Sequence, residues 1–280
     1  MKKRALYVMN VSPENWEVED PNGPWETFKK PFVANEIQNI FMPRLRAYAE
    51  SVGADFIEWK DLKYDAEYIK DRTWYYRAVN TMKIYALRDA VEKGYEEFLL
   101  LDHDVLITKY TKNIFEEVTG DGFYMYPAST PNQEYKRIQE KYFDFKPEKT
   151  YNGGVVFARG EPMKQLADFT PFSLYAFFDR MVWTKMPIEK FIEENIDIRN
   201  YRGNASSDEV VYPYLAFESG VGIKELDREW NFTITKYQIE NWAQLEEWGR
   251  LEKQSFIHFM SDGKDLFKNE GFAEKLISNY

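Results

Sequence analysis

The segment Glu97-Phe98-Leu99-Leu100-Leu101-Asp102-His103-Asp104 decides the reading of this chain. Glu97–Leu101 is an apolar run of the kind found in strands buried on both faces of a sheet. Just upstream, Tyr76–Lys93 repeats its apolar side chains at a helical period through Val79, Met82, Leu87, Ala90 and Val91. Gly94 then stands where a glycine ends a helix. A helix that delivers the chain into a buried strand is the repeating unit of an α/β fold.

The same alternation extends in both directions. Ala5–Val11 and Asp55–Trp59 read as strands, and Pro31–Gly53 as a helix that Pro43 kinks or divides. Between them, Ser12–Lys30 reads as a loop with two tryptophans, suited to a lid, an acceptor-side wall or packed surface. Downstream come a short helix at Asn113–Val118, a strand at Gly122–Tyr126, a polar helix at Asn132–Tyr142 and a strand at Gly154–Ala158. A further helix starts near Ser207, whose hydroxyl can cap it, with Asp208 and Glu209 in its first turn. Pro213 bends that helix, and a late strand, Ser255–Phe259, precedes a closing helix. No repeat or Gly/Ser/Pro-rich linker divides the sequence, which predicts one domain spanning 1–280.

The chain has 280 residues, no cysteine and a net charge of −10. A disulfide framework, a thiolate metal site and a thiol nucleophile are therefore excluded. An acidic chain without a basic cluster is ill suited to a nucleic-acid backbone. The start, MKKRALYVMNV, is basic then apolar, but Asn10, Pro13 and Glu14 break the run early. Nothing approaches the roughly 18 apolar residues of a membrane helix, so a cytoplasmic protein without a membrane span is expected. Aromatic residues reach 18%, and most must belong to the core.

Asp102 and Asp104, two positions apart at a strand end, project to the same side of the chain. Two neighbouring carboxylates resist joint ionisation unless a cation lies between them. A hard divalent ion, Mg²⁺ or Mn²⁺, resolves that conflict and also binds phosphate oxygens. The carboxyl ends of strands are where open α/β sheets bind ligands. The same aspartates equally suit an ordinary turn. Only two histidines exist, His103 and His258. His258 lies in the apolar run Phe256-Ile257-His258-Phe259, as a core residue or as a third ligand if its strand neighbours the first in one sheet. Imidazole beside carboxylates favours Mn²⁺. Gly153-Gly154, read as a turn into a strand, would let a ligand approach the backbone, with the Asn152 amide free for hydroxyls. Lys264 suits either phosphate or solvent. GxxxxGK, GxGxxG and GxSxG motifs are absent.

The order Asp102-His103-Asp104, Asn152-Gly153-Gly154, Ser207-Asp208-Glu209, then His258 with Gly263-Lys264 resembles the nucleotide-sugar-dependent glycosyltransferases of the GT-A fold. Family 8 and its relatives show the most similar pattern. The resemblance implies an α/β fold with a mixed, mostly parallel central sheet flanked by helices. It implies Mn²⁺ (or Mg²⁺) held by Asp102, Asp104 and His258 on the diphosphate of a UDP-sugar donor, and a glycan or other hydroxyl acceptor. Lys264, with Arg77 or Lys83, would contact phosphate. Val8, Asn10, Val11 and His103 would border the nucleotide, and Asn152, Gly153 and Gly154 the sugar. Asp208 or Glu209 would be the base of an inverting enzyme. In the retaining course that family 8 implies, the leaving phosphate takes the proton and Asp208 orients substrate. Two departures stand out: Phe259-Met260-Ser261-Asp262-Gly263-Lys264 replaces His-x-x-Gly-x-x-Lys-Pro-Trp, and no Asp follows Asp208-Glu209. The same carboxylates would also serve a metal-dependent nucleotidyltransferase, or a carbohydrate-binding module holding a structural cation.

Overall fold

Arg4–Met9 (β1) is buried along nearly its whole length in the computed structural model of the chain. The structure describes residues 2–10, 37–61, 75–128, 146–170, 207–234, 250–260 and 271–280, together with 133, 136, 140, 244, 266 and 267. β1 pairs in parallel with Ala54–Trp59 (β2) on one side and Glu97–Asp102 (β3) on the other. Tyr151–Arg159 (β6) runs antiparallel to β3 and to Gly122–Pro127 (β5), and Lys224–Glu225 (β7) extends β5 in parallel. The sheet order is β2-β1-β3-β6-β5-β7. Five strands point one way and only β6 opposes them, so the expected mixed, mostly parallel sheet holds.

Alternation along the strands divides the core in two, as the two-residue period of a strand requires. Tyr7, Met9, Phe98, Leu100 and Val156 face the helices Tyr75–Glu92 (α2), Gly160–Phe169 (α4) and Asp208–Glu218 (α5). Leu6, Val8, Leu99, Leu101 and Phe157 face Met42–Ser51 (α1), Phe272–Asn279 (α6) and a second sheet. That sheet has the order β4-β9-β8, from Val105–Ile107 (β4), Phe256–Phe259 (β9) and Phe232–Ile234 (β8). Phe41, Phe259, Phe267 and Phe272 form a mostly edge-to-face aromatic cluster over it, with centroids 5.1–6.4 Å apart and the Phe41–Phe259 pair tilted. Each such ring contributes about 1.5–3 kcal/mol by burial. Among the described residues the aromatics are mostly core, and only Tyr110, Phe169 and Phe217 are exposed. At the far end of the sheet, buried Glu97 is held by Arg4 at 2.8 Å and Arg159 at 2.5 Å.

Several boundaries differ from expectation. β1 ends at Met9, where the Asn10 N–H already bonds the Trp59 carbonyl. The helix read from Pro31 is, over its described part, a π-helical turn at Ile37–Phe41 followed by α1. Pro43 divides them from the first turn of α1, where its missing N–H would be unbonded anyway. β6 starts at Tyr151, three residues early, so Asn152-Gly153-Gly154 lies within the strand. α5 runs through Pro213. The three-residue strands β4 and β8 carry too few side chains to display a period. Ile114–Glu117 (α3) forms as expected, N-capped by Asn113. Ser12–Lys30 and most of Asn132–Tyr142 lie outside the described residues. Among those residues, no helix is long and apolar enough to cross a membrane.

Candidate metal centre

β3 places Asp102 at its last position, and the turn through His103 and Asp104 hands the chain to the second sheet. There Val105 of β4 pairs with His258 of β9, and the Phe259 N–H bonds the Asp104 carbonyl at 3.1 Å. The convergence does not need the two strands to share one sheet: β3 and β9 belong to different sheets, and β4 brings their tips together. His258 Nε2 lies 3.3 Å from Asp104 Oδ1 and 3.7 Å from Asp102 Oδ2. One ligand atom from each of Asp102, Asp104 and His258 falls within 4.8 Å of the others. His258 and Asp104 are buried, while the Asp102 side chain keeps 19% exposure and so marks the open side.

Two carboxylates and one imidazole form a hard-to-borderline donor set without sulfur, which suits Mn²⁺ or Mg²⁺ and, through the imidazole, favours Mn²⁺. The spacing of the three ligand atoms fits donors that share one cation.

Lys83 reaches this cluster from α2. Its ammonium lies 2.5 Å from Asp102 Oδ1 and 2.9 Å from Asp208 Oδ2. Burial opposes its charge, but the two carboxylates outweigh burial and raise its pKa above the ordinary lysine value. The lysine expected on phosphate is therefore engaged with two carboxylates. One turn into α5, Tyr212 donates to the Lys83 carbonyl at 2.6 Å and fixes the two helices together.

Asp208 opens α5. Ser207 is its N-cap residue, yet its hydroxyl makes no capping bond and instead lies 3.4 Å from Asp208 Oδ1. That oxygen also accepts the Glu209 N–H at 3.1 Å. The pKa of Glu209 is pushed up to about 7, first by burial and then by the neighbouring Asp208 charge. Lys83, the Gly153 backbone and His258 pull it in the other direction.

The paired glycines have a steric role other than the one expected. A Cβ on Gly153 would fall 2.1 Å from Asp208 Oδ2, and one on Gly154 would fall 2.0 Å from His258 Cε1. What approaches this backbone is the protein's own carboxylate and imidazole. The β5–β6 register jumps here from Met125↔Val156 to Tyr126↔Asn152, a bulge that takes Gly153–Val155 out of the ladder. Asn152 is not free for hydroxyls either. Its Oδ1 accepts from Gly154 N at 3.0 Å and Asn231 Nδ2 at 2.8 Å, and its Nδ2 donates to Glu209 Oε1 at 3.0 Å. Asn231 Oδ1 faces His258 Nδ1 at 3.2 Å. Sequence reading missed Asn231; its signal is a lone amide in the apolar run Trp230-Asn231-Phe232-Thr233-Ile234.

On the nucleotide side, Val8 is wholly buried in the core. Asn10 donates to Glu58 Oε1 at 2.6 Å, and His103 Nδ1 lies 3.0 Å from the Met9 carbonyl. Val11, Lys264 and the Arg77 side chain lie outside the described residues.

No family model matches the chain, and no curated protein matches it in sequence. Solved structures do match. One is a glycosyltransferase involved in the glycosylation of the major capsid of PBCV-1, with TM-score 0.49 and 12% identity over 95% of this chain and 100% of that one. Another is mouse xyloside xylosyltransferase 1 in its apo form, with TM-score 0.46 and 13% identity over 93% and 99%. A third is the galactosyltransferase LgtC in complex with donor and acceptor sugar analogues, with TM-score 0.41 and 12% identity over 97% and 96%.

Proposed function

We propose that the chain is a metal-dependent glycosyltransferase of the GT-A type, moving a sugar from a nucleoside diphosphate, UDP above all, to a hydroxyl of a glycan acceptor. The observation that carries this reading is the convergence of Asp102, Asp104 and His258 at the carboxyl end of β3, the edge where open α/β sheets bind ligands. The motif order from Asp102 to Lys264 supports the same conclusion. Asp102, Asp104 and His258 would hold Mn²⁺ or Mg²⁺, which supplies positive charge for a diphosphate leaving group. Lys83 holds Asp102 and Asp208 around a single buried ammonium. Asp208, engaged with the Lys83 ammonium, serves to orient substrate, the role it has in a retaining course. Glu209, anchored by Asn152, is the carboxyl beside it that changes protonation near neutrality.

Melting curves recorded with Mn²⁺ alone, UDP alone and both together test the proposal. A ligand that binds only the folded state stabilises it by about 2.7 kcal/mol at a hundredfold excess over its Kd. The expected result is a rise in Tm with UDP and Mn²⁺ together that neither gives alone. No response to any nucleoside diphosphate with metal would overturn the transferase reading. Response to triphosphates only would favour nucleotidyl transfer, and response to metal only a binding module.

The raised pKa of Glu209 has a measurable consequence in the metal-free protein. Its ordinary value is 4.5 and its folded value about 7, so the folded chain holds this proton more tightly than the unfolded chain. Stability therefore declines as pH rises through that window, and the penalty is complete above it. Glu209→Gln stays neutral and keeps an oxygen for Asn152. It should match wild type near ~pH 4.5 and exceed it above ~pH 7, by at most about 3 kcal/mol, at about 1.4 kcal/mol per pK unit. Urea denaturation at both ends of the range checks this, and a constant difference would refute it.

A further inference from the structure

We propose that Asn231 is a positioning residue that fixes the tautomer of His258 and the amide orientation of Asn152, coupling the metal centre to the carboxyl of Glu209. The inference rests on the metal-centre reading of Asp102, Asp104 and His258. Asn231 is completely buried, between Trp230 and Phe232, which are buried as well. A buried amide is unfavourable unless hydrogen-bonded, and both ends of this one are engaged.

The direction of every bond follows from one backbone group. Gly154 N–H can only donate, and it lies 3.0 Å from the Asn152 amide atom that must therefore be oxygen. The Asn231 atom 2.8 Å from that oxygen must then be the NH₂ nitrogen. The carbonyl of Asn231 consequently faces His258 Nδ1 at 3.2 Å, and only a protonated Nδ1 satisfies it. A neutral imidazole with its proton on Nδ1 carries its lone pair on Nε2, the atom 3.3 Å from Asp104 and 3.7 Å from Asp102. That is the tautomer a metal ligand needs, set by the bond its other nitrogen makes. At the opposite end, the Asn152 NH₂ is left to hold Glu209 Oε1 at 3.0 Å. One side chain thus orients a ligand on β9 and an amide on β6.

The two arms separate by substitution. Asn231→Asp keeps an oxygen toward His258 but places an acceptor against the Asn152 oxygen, whereas Asn231→Leu removes both bonds. Calorimetric titration of the full chain with Mn²⁺ should show Asn231→Leu weakened by about 10–100-fold, the usual effect of losing an outer hydrogen-bond partner of a metal ligand. Asn231→Asp should bind Mn²⁺ at least as tightly as wild type yet show a lower kcat at saturating Mn²⁺, because the Asn152 arm is broken. Wild-type affinity in Asn231→Leu, equal losses in both variants, or an unchanged kcat in Asn231→Asp would overturn the inference. Absence of Mn²⁺ binding by wild type would instead overturn the metal centre itself and this inference with it. If Asn231→Leu does not fold, ¹H–¹⁵N spectra of the metal-free wild type decide: a proton on His258 Nδ1 is expected, and an Nδ1 without one refutes the assignment.

Discussion

Asp104→Ala should abolish metal-dependent turnover and leave the fold standing. The backbone of Asp104 joins the sheet through its carbonyl, which accepts the Phe259 N–H, and the substitution does not touch that bond. The lost carboxylate is one of several acidic groups gathered within a short distance, with Asp102, Asp208 and Glu209 nearby. Removing one negative charge there relieves repulsion in the metal-free protein. Only when a cation must be held does the loss become severe, because a ligand atom disappears and the remaining pair carries less charge. Losing a single charge-stabilising group of this kind lowers kcat by about 10²–10³-fold, and a first ligand should exceed that. Initial rates of sugar transfer across a Mn²⁺ titration, with circular-dichroism melting as the control, measure both halves. Full activity in Asp104→Ala would remove the metal assignment. Asp104→Asn, which keeps the volume and one neutral oxygen, should fall between the two.

The parts of this arrangement that were legible in the sequence are those in which a long apolar run stops abruptly on a chemically active side chain. Glu97–Leu101 ending at Asp102 has that form, Phe256–Phe259 is a shorter run that encloses His258, and both are strands whose ends β4 brings together. How they meet was not legible, because β4 and β8 are three residues long and a period cannot be read from so few. The glycines illustrate a different limit. Neither Gly153 nor Gly154 has a positive φ, so the demand for glycine comes from whatever fills the space beside the strand. Sequence identifies the vacancy for a side chain but not its occupant, and here the occupants are Asp208 and His258. Lys83 was recognisable as a basic residue in a helix. Its burial was also encoded: it falls four residues after Val79 and four before Leu87, on the apolar stripe of α2. A lysine on that stripe must find carboxylates inside the fold.

That burial makes Lys83→Met the largest expected effect on stability. The Lys83 side chain is 7% exposed and its ammonium sits between Asp102 and Asp208, the latter's side chain 4% exposed. Methionine reproduces the length of the apolar stem but leaves the buried Asp208 and the partly exposed Asp102 facing each other without a counter-charge. Breaking a buried ion pair from one side is unfavourable by about 3–5 kcal/mol, a large share of the 5–15 kcal/mol typical of a folded domain. Since the paired carboxylates raise the lysine pKa, the wild-type contribution is complete below the ordinary lysine value of about 10.4 and fades only as pH rises beyond it. The penalty of Lys83→Met should therefore be the same in neutral and mildly alkaline buffer, unlike the pH-dependent difference expected for Glu209→Gln. Adding Asp208→Asn should recover much of the loss, because it neutralises the more deeply buried of the stranded charges, and the double-mutant cycle isolates the pair. Mn²⁺ should recover a further share in Lys83→Met by neutralising Asp102 from its open side. Urea denaturation of the four proteins of the cycle, with and without Mn²⁺, reads all of these terms. A Lys83→Met protein as stable as wild type would mean that the ammonium does not neutralise Asp102 and Asp208 in the folded chain.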